Sequence, residues 1–232
     1  LAWKSPSFWR TQGVKASIKF IQTNEQEISM ASVTPVIATG DNNIDALLKK
    51  NKWASNTVTF SFTNSFSDYG SNYPYGNEYR QGYQPLLAYQ QATARAWLAQ
   101  YASVSLVNPV EVSGSNDRNA TIRIAMSNKP SGGEAFAPST TAAGGDVCFN
   151  PSAFSHVELG TYAYHGIGHE IGHALGLRHG HAVEPGEDLR NVVTDYLKDS
   201  MEYSIMTYRS YVGHNPDPVD RKFIVDLASR WQ

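Results

Sequence analysis

His169-Glu170-Ile171-Gly172-His173-Ala174-Leu175-Gly176-Leu177-Arg178-His179 is the stretch on which the reading of this 232-residue chain turns. At 3.6 residues per turn, the first two histidines fall about 40° apart around a helix and about 6 Å apart along it, so both rings can lean toward one ion. Gly176 can take the left-handed conformation that ends a helix, and the chain can then swing His179 back as a third ligand. Three neutral imidazoles suit zinc, at about 2.0–2.1 Å each, and leave a fourth position open for water. Glu170 follows His169 directly, so it points off the ligand axis and can take a proton from that water instead of binding the metal. The short pattern H-E-x-x-H also arises by chance on exposed helices. Its extension through Gly176 to His179 makes the signal specific.

Downstream, Ser204-Ile205-Met206-Thr207-Tyr208 is a candidate for the methionine-bearing turn that accompanies the extended motif. Taken alone, Met206 reads more simply as core filler. His165 precedes His169 by one turn, but three successive turns of a straight helix do not reach one ion, so it is expected to pack beside the site or support it. His156, His181 and His214 are expected on exposed loops. Gly166, Gly168, Gly172 and Gly176 each cost about 1 kcal/mol relative to Ala in a helix interior, a cost that close packing must offset.

Working outward, the spacing predicts a short helix after Thr39-Gly40-Asp41, with Ile44, Leu47 and Leu48 on one face. Thr57 to Phe62 alternates as a half-buried strand, Val58, Phe60 and Phe62 lying on one side. Ser65 to Gln84, rich in Gly, Asn, Ser and Tyr, reads as a long loop. Pro85 then suits the first turn of a helix whose core face carries Leu87, Ala94, Leu98 and Tyr101. Further strands are expected at Ser103 to Val107, Thr121 to Met126 and Asp146 to Phe149. Residues 1–35 show no sustained period and read as an extension or pro-segment, with Met30 a possible natural start; residues 36–232 read as one catalytic domain.

A hydrophobic content of 41% over 232 residues is enough for one substantial core. The formal net charge of -2 offers no basic surface, so neither nucleic acid nor membrane is expected as a partner. No apolar run approaches the roughly 20 residues that cross a bilayer, and no signal peptide is visible. Cys148, the single cysteine, excludes an internal disulfide framework and is expected to be a small buried hydrophobe.

From about Thr39 to the C-terminus the chain resembles the serralysin family of metzincin peptidases. Beyond the zinc motif, the likeness rests on Thr39-Gly40 with Ile44-Asp45 and Leu47-Leu48, on Gly145-Asp146-Val147-Cys148-Phe149, where the family usually has Trp in place of Cys148, and on Ile224-Val225-Asp226-Leu227-Ala228, which looks like the family's closing helix. The resemblance implies an α+β, zincin-like fold, with a twisted, mixed but mostly parallel sheet, an active-site helix and a Met-turn around Met206. It implies one zinc ion on His169, His173 and His179, with Tyr208 as a further ligand that moves off to bind the tetrahedral intermediate. It also implies that Gly133-Glu134-Ala135-Phe136-Ala137, followed by Pro138, is the edge strand that binds peptide, which gives affinity through the backbone and broad specificity. Gly180 replaces the family's Pro after the third histidine, and His181 to Asp188 match poorly. The family's calcium-binding repeats are not seen, so calcium is not expected. Secretion is implied by the likeness.

The expected activity is zinc-dependent endopeptidase action on protein or peptide substrates by a monomer, with Glu170 as general base and Tyr208 assisting the oxyanion. Two alternatives have other consequences: an inactive, zinc-stabilised peptide-binding module, against which the intact Glu170 argues, and a zinc hydrolase acting on non-peptide substrates.

Overall fold

A computed structural model describes residues 31–71, 73–74 and 78–212. Strands β1 (Val33–Pro35) and β2 (Asn51–Trp53) pair antiparallel. The main sheet has five strands in the order β4 (Asn108–Glu111), β3 (Thr57–Phe62), β5 (Ile122–Met126), β7 (Val147–Phe149), β6 (Gly133–Ala135). The pairs β4–β3, β3–β5 and β5–β7 are parallel, and β6 runs antiparallel at one edge. Among the described residues it is accompanied by the α-helices α1 (Asn42–Asp45), α2 (Ala88–Val104) and α3 (Tyr162–Leu175). The fold is therefore α+β with a mixed sheet, as expected. The boundary expected at residue 35 falls at the end of β1, while residues 1–30 and the expected closing helix at 224–228 lie outside the described residues.

One face of the sheet packs on α2 and α3. Val58, Phe60, Ile122, Ile124, Val147 and Phe149 meet Ala94, Leu98, Ile167 and Ile171 there in one buried cluster. On the other face Tyr69, Tyr73 and Tyr79, from the stretch expected to be a long loop, pack with Ala125 and Cys148. Cys148 is fully buried, as a small hydrophobe should be. An ion pair fastens this loop to the sheet. Arg123 binds Asp146 through Nε and Nη2, both at 2.7 Å, and Tyr73 donates to the same carboxylate at 2.8 Å.

Several expectations need correction. The segment Ser103 to Val107 is not a strand: α2 runs on to Val104 and β4 begins at Asn108. Val104 and Leu106 are 84% and 81% exposed, so their alternation with serines does not report a buried face. Helix α2 begins at Ala88 rather than at Pro85. Leu87 is its exposed N-cap residue, with its backbone N–H donated to Gln90 Oε1 at 2.7 Å, rather than part of the core face. Helix α1 is a single turn capped by Asp41, and Leu48 lies beyond it, bridged to Leu177.

The glycine-rich helix α3 is explained by its neighbours. A β-carbon on Gly168 would stand 2.5 Å from the Trp97 ring, and one on Gly172 would stand 2.7 Å from both the Met206 sulfur and the Tyr101 hydroxyl. Tyr101 donates to Gly168 O at 2.9 Å and Trp97 Nε1 to Tyr164 O at 2.8 Å, bonds that require α2 to lie this close. The helix-propensity cost of these glycines thus permits a tight α2–α3 contact.

Candidate metal centre

Helix α3 starts at Thr161, whose hydroxyl caps Tyr164 N at 3.1 Å. It ends at Gly176 with φ of 107°, the left-handed geometry anticipated for that position. Beyond this bend, Arg178 N donates to Leu47 O at 3.0 Å and Lys49 N to Gly176 O at 2.9 Å, so the segment after α1 holds the returning chain. His179 is thereby brought back toward the helix.

The Nε2 atoms of His169, His173 and His179 lie 3.0 to 3.2 Å from one another. These contacts are not all hydrogen bonds. His169 Nδ1 lies 2.8 Å from Ile205 O, and His173 Nδ1 lies 2.9 Å from Leu177 O. A carbonyl only accepts, so in each ring the proton sits on Nδ1 and Nε2 presents a bare lone pair. Two such nitrogens at 3.2 Å have no proton between them, an arrangement that a shared cation would satisfy. Tetrahedral zinc with bonds of about 2.0–2.1 Å separates its nitrogen ligands by about 3.3–3.4 Å, which the observed spacing approaches within a few tenths of an ångström. The donor set therefore fits zinc. Burial first, then the neighbouring imidazoles, lowers the pKa of His169 to about 3 and of His179 to about 2, while burial lowers that of His173, so all three rings stay neutral and able to ligate.

Glu170 stands between the helix and the edge strand. A β-carbon on Gly133 would lie 2.6 Å from its Cγ and 2.8 Å from its Oε1, so the strand's missing side chain makes room for this carboxylate. Burial, and then the charge of Glu134, raises the Glu170 pKa to about 8. Met206 is buried beneath Gly172. The Tyr208 ring lies 4.4 Å from His179 and 5.8 Å from His169, and burial raises its pKa to about 12. The candidate peptide-binding residues Gly133, Glu134 and Ala135 form β6, at the sheet's edge; Phe136 continues the pairing through its N–H to Asp146 O at 2.9 Å, and Ala137 follows.

The chain is similar to a serralysin. It is 30% identical to serralysin B of Dickeya chrysanthemi over 162 residues, which cover 65% of this chain and 32% of that protein. It thus spans about a third of its relative's length. No family model matches the chain. A three-histidine cluster able to hold a metal is compatible with the serralysin likeness. No helix among the described residues is long and apolar enough to cross a membrane.

His165 stays outside the cluster, its ring 5.9 Å from that of His169 and its Nε2 buried without a partner. His156 is exposed, as expected, and His214 lies outside the described residues. His181 departs from its expected exposure. Its ring packs 5.5 Å from His179 and 5.0 Å from Tyr208, and its Nδ1 is buried. Sequence reasoning also missed Arg178, which is fully buried and donates to His179 O at 3.1 Å, to Ala182 O and to Val192 O at 2.6 Å. It missed Glu184 and Lys49 beside His179 as well. Lys49 and Glu184 lie 135 residues apart and Arg178 bonds main-chain carbonyls, so no local period marks them.

Proposed function

We propose that this chain is the catalytic domain, over residues 36–232, of a secreted serralysin-like zinc endopeptidase with a zincin fold. The observation that carries the reading is the convergence of the three Nε2 atoms, two with their protons committed elsewhere, beside a carboxylate that is not part of the ligand set. His169, His173 and His179 would hold zinc, which would supply a Lewis acid and lower the pKa of a bound water.

In this reading Glu170 takes a proton from the attacking water as the new C–O bond forms, then delivers it to the amine as the C–N bond breaks. Its raised pKa fits a group that must both accept and return a proton near neutrality, although a nearby cation acts in the opposite direction. Tyr208 keeps its proton because burial raises its pKa, so its phenol would donate to the oxyanion during reaction; by the serralysin likeness its oxygen would also be a zinc ligand at rest. Residues 133–137 offer an antiparallel edge to which an extended protein substrate adds as a further strand, recognised mainly by its backbone. Met206, proposed as the Met-turn residue, packs against Gly172, the residue before the second ligand.

Metal analysis paired with casein cleavage tests the reading. The expected result is one zinc per chain and activity that chelator abolishes and zinc restores. Glu170→Gln should keep its zinc and lose cleavage by about 100-fold or more, since general base catalysis contributes about 10²–10⁴. Cleavage by metal-free protein, or full activity in Glu170→Gln, would overturn it.

A further inference from the structure

The three imidazoles are not supported alike. His169 and His173 are fixed by the helix, and each gives Nδ1–H to a main-chain carbonyl. His179 lies past the left-handed Gly176, where no helix limits its rotation, and its Nδ1 faces a carboxylate instead: Glu184 Oε1 stands 3.7 Å away. That gap is a few tenths of an ångström beyond hydrogen-bond reach, closed by a small torsion or bridged by one water.

Glu184 is braced at its side chain and at its main chain. Lys49 Nζ binds its other oxygen, Oε2. Its main-chain N–H donates to Asp188 Oδ2 at 2.8 Å, and Asp188 Oδ1 in turn lies 3.1 Å from Nε of the fully buried Arg178. Lys49 is fixed by its own N–H, bonded to Gly176 O. An exposed Lys–Glu pair is worth only about 0–1 kcal/mol and calls for no such bracing. Here the side chain of Lys49 is only 12% exposed, and the pair stands next to a candidate ligand.

We infer that Glu184 is a positioning residue for the third metal ligand. Its carboxylate accepts a hydrogen bond from Nδ1–H of His179, directly or through one water, fixes the ring's tautomer and rotation so that Nε2 faces the other two, and strengthens that nitrogen as a ligand. Lys49 holds the carboxylate in place. The inference rests on the zinc reading above.

The test is the zinc dissociation constant of the full chain, measured by competition with a chromophoric chelator, for the parent, Glu184→Gln, Glu184→Ala and the same-loop control Glu187→Gln. Glu184→Ala should bind zinc about 10–100-fold more weakly. Glu184→Gln, which keeps an acceptor but loses the charge, should fall between it and the parent, and Glu187→Gln should match the parent. Zinc affinity is measured below the melting transition of every metal-free variant, because loss of the Lys49 pair lowers that transition by itself. Parent-like zinc affinity in both Glu184 variants, or an equal loss in Glu187→Gln, overturns the inference while leaving the zinc reading intact. A parent that takes up no zinc overturns both.

Discussion

A β-carbon on Gly172 would press on the Met206 sulfur and the Tyr101 hydroxyl at 2.7 Å, one turn from His169 and beside His173. Tyr101 cannot retreat without loosening its bond to Gly168 O. Overpacking of this kind costs about 1–3 kcal/mol, against about 1 kcal/mol gained from the better helix propensity of Ala. Gly172→Ala should therefore lose up to about 2 kcal/mol and melt a few degrees below the parent, since 1 kcal/mol corresponds to about 2–4 °C in a chain of this size. Gly132→Ala is the comparison, because nothing lies within 4 Å of its β-carbon and its backbone is unstrained. It should melt at or above the parent's temperature. Thermal unfolding of the two variants checks the contrast, and a parent-like Gly172→Ala would show that the Met206 contact yields freely.

At the scale of elements, the contact between β6 and α3 couples the candidate substrate strand to the candidate base. Gly133→Ala would drive its methyl into the Glu170 side chain, which must turn away. The expected outcome is a kcat lower by about 10–100-fold with zinc content unchanged, as misplacement of a catalytic group by about 1 Å entails. Unchanged kcat would mean that the carboxylate has room elsewhere. Elements of this kind were legible in the sequence where burial follows a local period. Strand β3 matches its expected span because its alternation reports a sheet face, and α3 could be read from its ligand spacing and its terminal glycine. The end of α2 was not legible, because Val104 and Leu106 imitate a strand while facing solvent. The loop from Arg178 to Val192 was illegible for another reason. Its order comes from a buried guanidinium bonded to main-chain carbonyls, and such partners leave no pattern in the sequence.

Across the whole molecule, the N-terminal part of the described chain is clasped to the segment that follows the third histidine. Lys50 N bonds Glu187 O, Leu189 N bonds Leu48 O and Asp195 N bonds Asn43 Oδ1, while Trp53 Nε1 ties the same N-terminal part to helix α3 at Ala174 O, 2.8 Å away. The charged centre of this clasp is Asp45, fully buried, which accepts from Arg190 Nη1 at 2.8 Å and from the backbone of Thr39 and Gly40. Arg190 first, then the Thr39 and Gly40 bonds, outweighs burial and holds the Asp45 carboxyl well below the usual carboxylate range. With the folded pKa depressed, the unfolded chain binds more protons over the acid range, so this stabilisation is complete above the ordinary Asp pKa of about 3.9 and drains away as pH falls below it. Asp117 acts with the opposite sign. Burial, with Asp68, raises its pKa to about 6, so its contribution declines as pH rises through that value. Replacing Asp45 separates the two. In chelator, which removes any metal contribution, Asp45→Asn should melt below the parent at pH 6–7, and the gap should narrow as pH is lowered from about 5 to 3. Thermal unfolding across that range measures it. A gap that stays constant to pH 3 would mean that Asp45 acts through its hydrogen-bonded shape rather than its charge, and that the clasp is not what acid releases.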